Sequence, residues 1–203
     1  MGLYQFNVVV PDGVGIGDLP ALIKVGGRIS NVFSLPVQGQ PGVQSELIKN
    51  GSFESPAIPA WIEYVGQGLG VAATFERTTS TAHDGNYSEH VSVTTAGLFY
   101  GVGLIQNGIP VAQGTTYLLQ FWAKSSNIRH TQVNLWKDGG DFHSYGLSTT
   151  FTLGTDWQLY RVAFQATESN PDGRLVLYFG DQTGDVWLDS VSLMAVAGSG
   201  NSQ

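Results

Sequence analysis

The stretch Thr116-Tyr117-Leu118-Leu119-Gln120-Phe121-Trp122-Ala123-Lys124-Ser125 alternates in character along its whole length. Tyr117, Leu119, Phe121 and Ala123 fall on one side, while Leu118, Gln120, Trp122 and Lys124 fall on the other. Successive side chains of a strand point to opposite faces, so this segment reads as a β-strand with one face in a core and one mixed face outside it. The same exercise on 132–137 sends Val133 and Leu135 inward and leaves Gln132, Asn134 and Trp136 outward. On 174–180 it sends Leu175, Leu177 and Phe179 inward and Tyr178 outward. Further short strands are expected over 74–77, 88–94, 98–106, 147–153, 157–165 and 185–194. Turn residues recur between them about every eight to twelve positions, the spacing of a sandwich or barrel. No stretch shows the period of an amphipathic helix, and the fold class is all-β.

Composition narrows the function. Charged residues make up only 12% of the 203 positions, about half the share of an average soluble domain, so the surface is mostly neutral and polar. The net charge of -7 comes without any Lys/Arg cluster, which excludes a nucleic-acid partner. No window reaches the run of apolar residues that crosses a bilayer, so no membrane partner is expected, and the first positions lack the flank and core of a secretion signal. With no cysteine there are no disulfides, no thiolate nucleophile and no Cys-ligated zinc.

Residues 1–38 read as a separate segment. Strands are expected at Tyr4–Val10, Leu22–Val25 and Ile29–Val37, with Gly26-Gly27 as a two-residue hairpin turn. Three strands are too few to bury a face alone. The residues Gly2-Leu3-Tyr4-Gln5, Asn7, Val10-Pro11, Gly17-Asp18, Pro20, Val25-Gly26-Gly27, Ser30-Asn31 and Leu35 make this segment resemble the C-terminal half of bacterial immunoglobulin-like domains. It is expected to be part of a longer chain. Its unpaired edges invite pairing with the main domain or with a second copy, as a dimer. Residues 39–45 read as a linker, 46–196 as the large domain and 197–203 as a tail.

A tryptophan on the polar side of a sheet is costly unless something covers it. Trp122 and Trp136 each stand beside a Gln or Asn, which suits a sugar: pyranose C–H faces stack on indole, and hydroxyls pair with planar amides. The alternative is that a loop or the N-terminal strands cover both rings as a second core layer; a structural or adhesive module would instead set them against the N-terminal strands or another chain. The loop Lys137–Tyr145 carries Asp138, Asp141 and His143, which could serve acid–base chemistry in a small glycan-cleaving enzyme on the same sandwich. Asp-Gly-Gly-Asp is also ordinary turn chemistry, and that reading is favoured. No nucleophile elbow, phosphate loop or His-Glu-x-x-His motif occurs.

The run from Glu46 through Phe53-Glu54, then Trp61, Ala82 to Ser88, Gly114 to Lys124, Trp157, and Val186 to Leu193 resembles the β-sandwich carbohydrate-binding modules of families four, nine, sixteen and twenty-two. The resemblance implies a jelly-roll sandwich with a concave binding sheet, acting without catalysis to hold an attached enzyme on a β-glucan or xylan outside the cell. It implies ligand contacts at Gln120, Trp122, Gln132, Asn134, Trp136 and Tyr178, with Tyr100 and Arg161 at the rim. It also implies a structural calcium ion held by Glu54 and Asp189, with Glu46 and the carbonyl of Ser52 as further ligands. The rival reading of Glu54 and Asp189 is bonding to backbone and to Lys49.

Overall fold

The computed structural model describes residues 17–22, 24–25, 27–37, 46–56 and 60–196. Two compact units, Met1–Val43 and Gln44–Gln203, divide the chain.

In the small unit, β1 (Gly17–Ala21) pairs antiparallel with β4 (Phe33–Val37), from Gly17 opposite Val37 to Ala21 opposite Phe33. Between them β2 (Lys24–Val25) and β3 (Arg28–Ile29) form a hairpin in which Val25 faces Arg28. Between these strands Gly27 takes φ 79° in the turn, a conformation favoured by glycine. The expected strand Tyr4–Val10 and the linker 39–45 lie outside the described residues.

The large unit is a sandwich of two five-stranded antiparallel sheets. Its strands are β5 (Ile62–Val65), β6 (Ala72–Thr78), β7 (Ser88–Thr95), β8 (Val102–Val111), β9 (Thr116–Ser125), β10 (Arg129–Lys137), β11 (Ser144–Leu153), β12 (Gln158–Gln165), β13 (Asn170–Tyr178) and β14 (Gly184–Val196). The first sheet runs β11-β10-β13-β8-β5 and the second β12-β9-β14-β7-β6. Neighbours in each sheet are often far apart in sequence, as a jelly roll requires.

The alternation of β9 is reproduced residue by residue: Tyr117, Leu119, Phe121 and Ala123 are buried, and the residues between them are half-buried. They meet Leu135, Leu175, Leu177 and Phe179 from the facing sheet, all 0% exposed. Each such leucine or phenylalanine contributes about 1.5–3 kcal/mol on leaving water. Ahead of β5 the chain is fixed by the turn Asn50-Gly51-Ser52-Phe53, where Val191 N–H donates to the Gly51 carbonyl at 2.9 Å. A Cβ on Gly51 would lie 1.8 Å from the Val191 carbonyl oxygen, so only glycine fits.

Candidate functional site

The outer face of the first sheet is laid out in rows by the strand register. Thr150, Gln132, Tyr178, Gly103 and Tyr64 stand side by side across all five strands. The next row holds Ser148, Asn134, Val176, Ile105 and Ile62, and beyond it Trp136 faces Arg174. Ile105, Val176 and Tyr178 form an apolar cluster separate from the main core, with Tyr64 and Trp136 packed against it. The sheet therefore has an apolar centre on its outside as well as its inside.

Rings continue that cluster into an arc. Phe99, in the short 3-10 turn Phe99–Gly101, meets Tyr100 at 5.2 Å and Tyr178 at 5.7 Å, both edge to face. Tyr178 meets Trp136 at 6.0 Å, and Trp136 meets Phe142 of the β10–β11 loop at 6.0 Å. With Tyr64 and Arg174 they line a cleft of about 440 Å³. Tyr178 lies flat enough that a Cβ on its cross-strand neighbour Gly103 would come within 3.0 Å of its ring. Burial pushes the Tyr178 hydroxyl to a higher pKa and keeps it protonated, a donor as well as an acceptor.

Polar groups edge this apolar floor. Asp138 accepts from Arg174 Nη1 at 2.7 Å and from Asn107 Nδ2 at 2.9 Å, so the guanidinium that lines the cleft is held by an ion pair. Gln132 Nε2 donates to Asn134 Oδ1 at 3.4 Å. Asn134 is 0% exposed, so it orients the Gln132 amide from beneath rather than reaching into solvent. Trp136 Nε1, Asn134 Nδ2 and Arg174 Nε are buried donors without a protein acceptor, and such groups call for an oxygen from a ligand or solvent.

The expected sugar contacts thus divide. Gln132, Trp136 and Tyr178 gather on the first sheet, with Tyr100 at the rim and Asn134 below. Gln120, Trp122 and Arg161 belong to the second sheet, where Arg161 pairs with Gln120 in register. They do not share a surface with Trp136, because β9 lies between β12 and β14. Trp122 is stacked on His83 with centroids 3.6 Å apart and planes 12° from parallel, which closes one indole face. Nearby, Trp187 stacks on His90 at 4.9 Å and Lys124 lies over the rings of Trp157 and Trp187. Trp122 itself stays half-buried. Tyr64, Phe99, Phe142 and Arg174 join the cleft without having been expected there.

The loop carboxylates are partnered too. Asp138 is held by Arg174 and Asn107, and Asp141 by His143 Nδ1 at 2.9 Å. His143 Nε2 lies 2.5 Å from Glu168. These pairings brace the turn.

At the opposite corner, the residues expected to hold calcium grip backbone. Asp189 Oδ2 accepts from the N–H groups of His83 and Asp84 at 2.8 and 3.0 Å. Glu54 Oε1 accepts from those of Asn86 and Tyr87, both at 2.8 Å. Glu46 Oε1 accepts from Ile48 and Leu193, and its Oε2 from the Ser192 hydroxyl. Ser52 is exposed in the turn ahead of them. Each of these carboxylates thus ties backbone amides together, and Asp189 Oδ1 also accepts from the Ser190 hydroxyl at 3.3 Å. Among the described residues no three His, Asp or Glu side chains converge as a metal site. Lys49 takes part only through its main chain, which exchanges two bonds with the Gln106 amide.

Similarity to known proteins bears on the family and the fold. A 114-residue match to Endoglucanase C of Cellulomonas fimi is 26% identical and covers 51% of this chain but only 10% of that protein. The solved structure described as "CBM4 structure and function" superposes with a TM-score of 0.61 at 18% identity, over 73% of this chain and 99% of its own. The N-terminal cellulose-binding domain of β-1,4-glucanase C from Cellulomonas fimi superposes with a TM-score of 0.55 at 23% identity, over 74% and 97%. The sequence model of the carbohydrate binding domain, CBM_4_9, matches residues 45–184. With that match spanning more than half of its length, this chain belongs to the CBM_4_9 family of carbohydrate binding domains.

Proposed function

We propose that the large unit binds a neutral β-linked polysaccharide of the β-glucan or xylan class in the cleft of the first sheet, and that it does so without catalysis. The observation that carries this reading is the continuous aromatic arc from Tyr100 through Phe99, Tyr178 and Trp136 to Phe142, with Arg174 in the same lining and Gln132 paired with Tyr178 across the strands. Stacking of pyranose rings on Trp136 and Tyr178 supplies the affinity. The Gln132 amide and the Arg174 guanidinium orient the hydroxyls. A neutral polymer suits a site whose Arg174 charge is already balanced by Asp138.

We further propose a role as the targeting part of a larger secreted enzyme. What supports the attachment is that the match to Endoglucanase C covers only a tenth of that protein. Affinity electrophoresis through gels containing soluble β-glucans, xylans or a charged control polymer tests the reading. Retention by a neutral β-linked polymer, lost in Trp136→Ala with an unchanged melting temperature, supports it. Equal mobility in every gel refutes it.

A further inference from the structure

His143 has a carboxylate against each ring nitrogen: Nδ1 lies 2.9 Å from Asp141 Oδ1, and Nε2 lies 2.5 Å from Glu168 Oε1. A neutral imidazole has one N–H and one lone pair, so it satisfies one of these anions and points the lone pair at the other. Only the imidazolium donates to both. Asp141 sits in the β10–β11 loop, whereas Glu168 belongs to the connection between β12 and β13, so the two bonds tie the loop to a neighbouring turn.

Phe142 stands between Asp141 and His143, and its backbone takes φ 50°, a costly region for a bulky residue. Such a conformation persists only where the surroundings hold it. On one side the hold is Asp138, bonded to Arg174 and Asn107. On the other it is His143, whose carbonyl also accepts from Lys137 N–H at 3.0 Å. The Phe142 ring forms the cleft wall beside Trp136.

We propose that the His143 imidazolium is a latch that keeps Phe142 against Trp136, so that the wall at this end of the cleft is set by pH. His143 is a positioning residue, acting through Phe142. The binding consequence rests on the sugar reading above, but the latch belongs to the free protein. The groups that face it are Asp141 and Lys137 on its own hairpin, Glu168 across from it, the Tyr145 ring edge-on at 5.4 Å, and Asp172 beyond Tyr145. The bond to Asp141 foremost, opposed by desolvation and aided by Glu168, raises the pKa of His143 above its ordinary value. A group whose folded pKa is raised gives its contribution in full below the unfolded value and loses it as pH rises through the folded one. The latch therefore is closed below the unfolded value and opens as pH rises through the raised one.

The test is an NMR titration of the free protein, following the His143 ring and the Trp136 indole N–H from acid to alkaline pH. The proposal expects His143 to titrate above its ordinary pKa and the Trp136 signal to move with the same midpoint. Glu168→Gln should lower that midpoint, and His143→Gln should remove the step from the Trp136 signal. In gels containing a soluble β-glucan, retention should weaken about two- to fivefold across the same pH range, the scale of a solvent-exposed pair. A Trp136 signal indifferent to His143, or a midpoint at or below the ordinary value, overturns the latch. If Trp136 follows His143 while no gel retains the protein at any pH, the latch stands and the sugar reading falls.

Discussion

The indole of Trp122 and the imidazole of His83 lie face to face, 3.6 Å between centroids and 12° from parallel, on the second sheet of the sandwich. The backbone N–H of the same His83 donates to Asp189 Oδ2, so the ring that covers Trp122 is itself fixed to β14. Trp122 is thereby part of the framework, whereas Trp136 faces the cleft of the other sheet.

The two tryptophans should separate on mutation. Trp122→Ala removes a half-buried ring and should cost about 2 kcal/mol, below the range for a fully buried tryptophan, with polysaccharide retention unchanged. Trp136→Ala should weaken retention about tenfold or more, as expected of a central aromatic anchor, with little change in melting temperature. Thermal melts and affinity gels on both variants check the contrast.

Gly103 controls how Tyr178 lies. An added Cβ would meet ring carbons of Tyr178 at 3.0 and 3.1 Å, too close unless the ring tilts away from the sheet. Gly103→Ala should therefore reduce retention several-fold while costing about 1–3 kcal/mol of stability, the range for overpacking. Retention equal to wild type would show that the ring's lie is irrelevant to binding.

Glu89 makes stability depend on pH from inside the sandwich. It is 6% exposed, and burial first, then the charges of Glu63 and Glu76, raise its pKa to about 7 against the opposing pull of Arg77. Because the folded value is the higher one, the folded state holds the proton more tightly. The stability linked to it is full in acid, below the unfolded value, and is lost as pH rises to about 7. Glu89→Gln should raise the melting temperature at pH about 8 by several degrees and flatten its decline across this range. An unaltered pH profile would show that Glu89 is not the group responsible.

The Asp189 clamp predicts indifference to chelation. Asp189→Ala leaves the N–H groups of His83 and Asp84 without their acceptor, at about 1–3 kcal/mol for each donor so orphaned, and should lower the melting temperature markedly. Removing calcium with a chelator should leave the wild-type melt where it was. A large drop on chelation would mean that an ion, and not the amide protons, balances these carboxylates.

Much of the layered fold is readable from β9, β10, β13 and β14, because a half-buried strand writes its inward face at every second residue. The limit of that signal explains the split site. Alternation shows that Trp122 and Trp136 both point away from the core, but two sheets have two outsides. Which outside a strand owns depends on pairings such as Gln132 with Tyr178 or Arg161 with Gln120, between residues some forty positions apart. Tyr64 went unread because β5 has only four residues, too few for a clear pattern. Phe142 went unread because it lies in a loop, where the titratable neighbours Asp141 and His143 draw the eye and the ring between them does not.

One consequence follows from how the chain joins the large unit. Leu47 N–H donates to the Leu193 carbonyl at 3.0 Å, and Glu46 bonds Leu193 and Ser192, so arrival and departure lie side by side on β14. Tension applied through the chain on either side would load these few contacts first and peel them one after another. The cleft is built on the other sheet, out of that line of force, so its lining would keep its arrangement while the seam on β14 begins to yield.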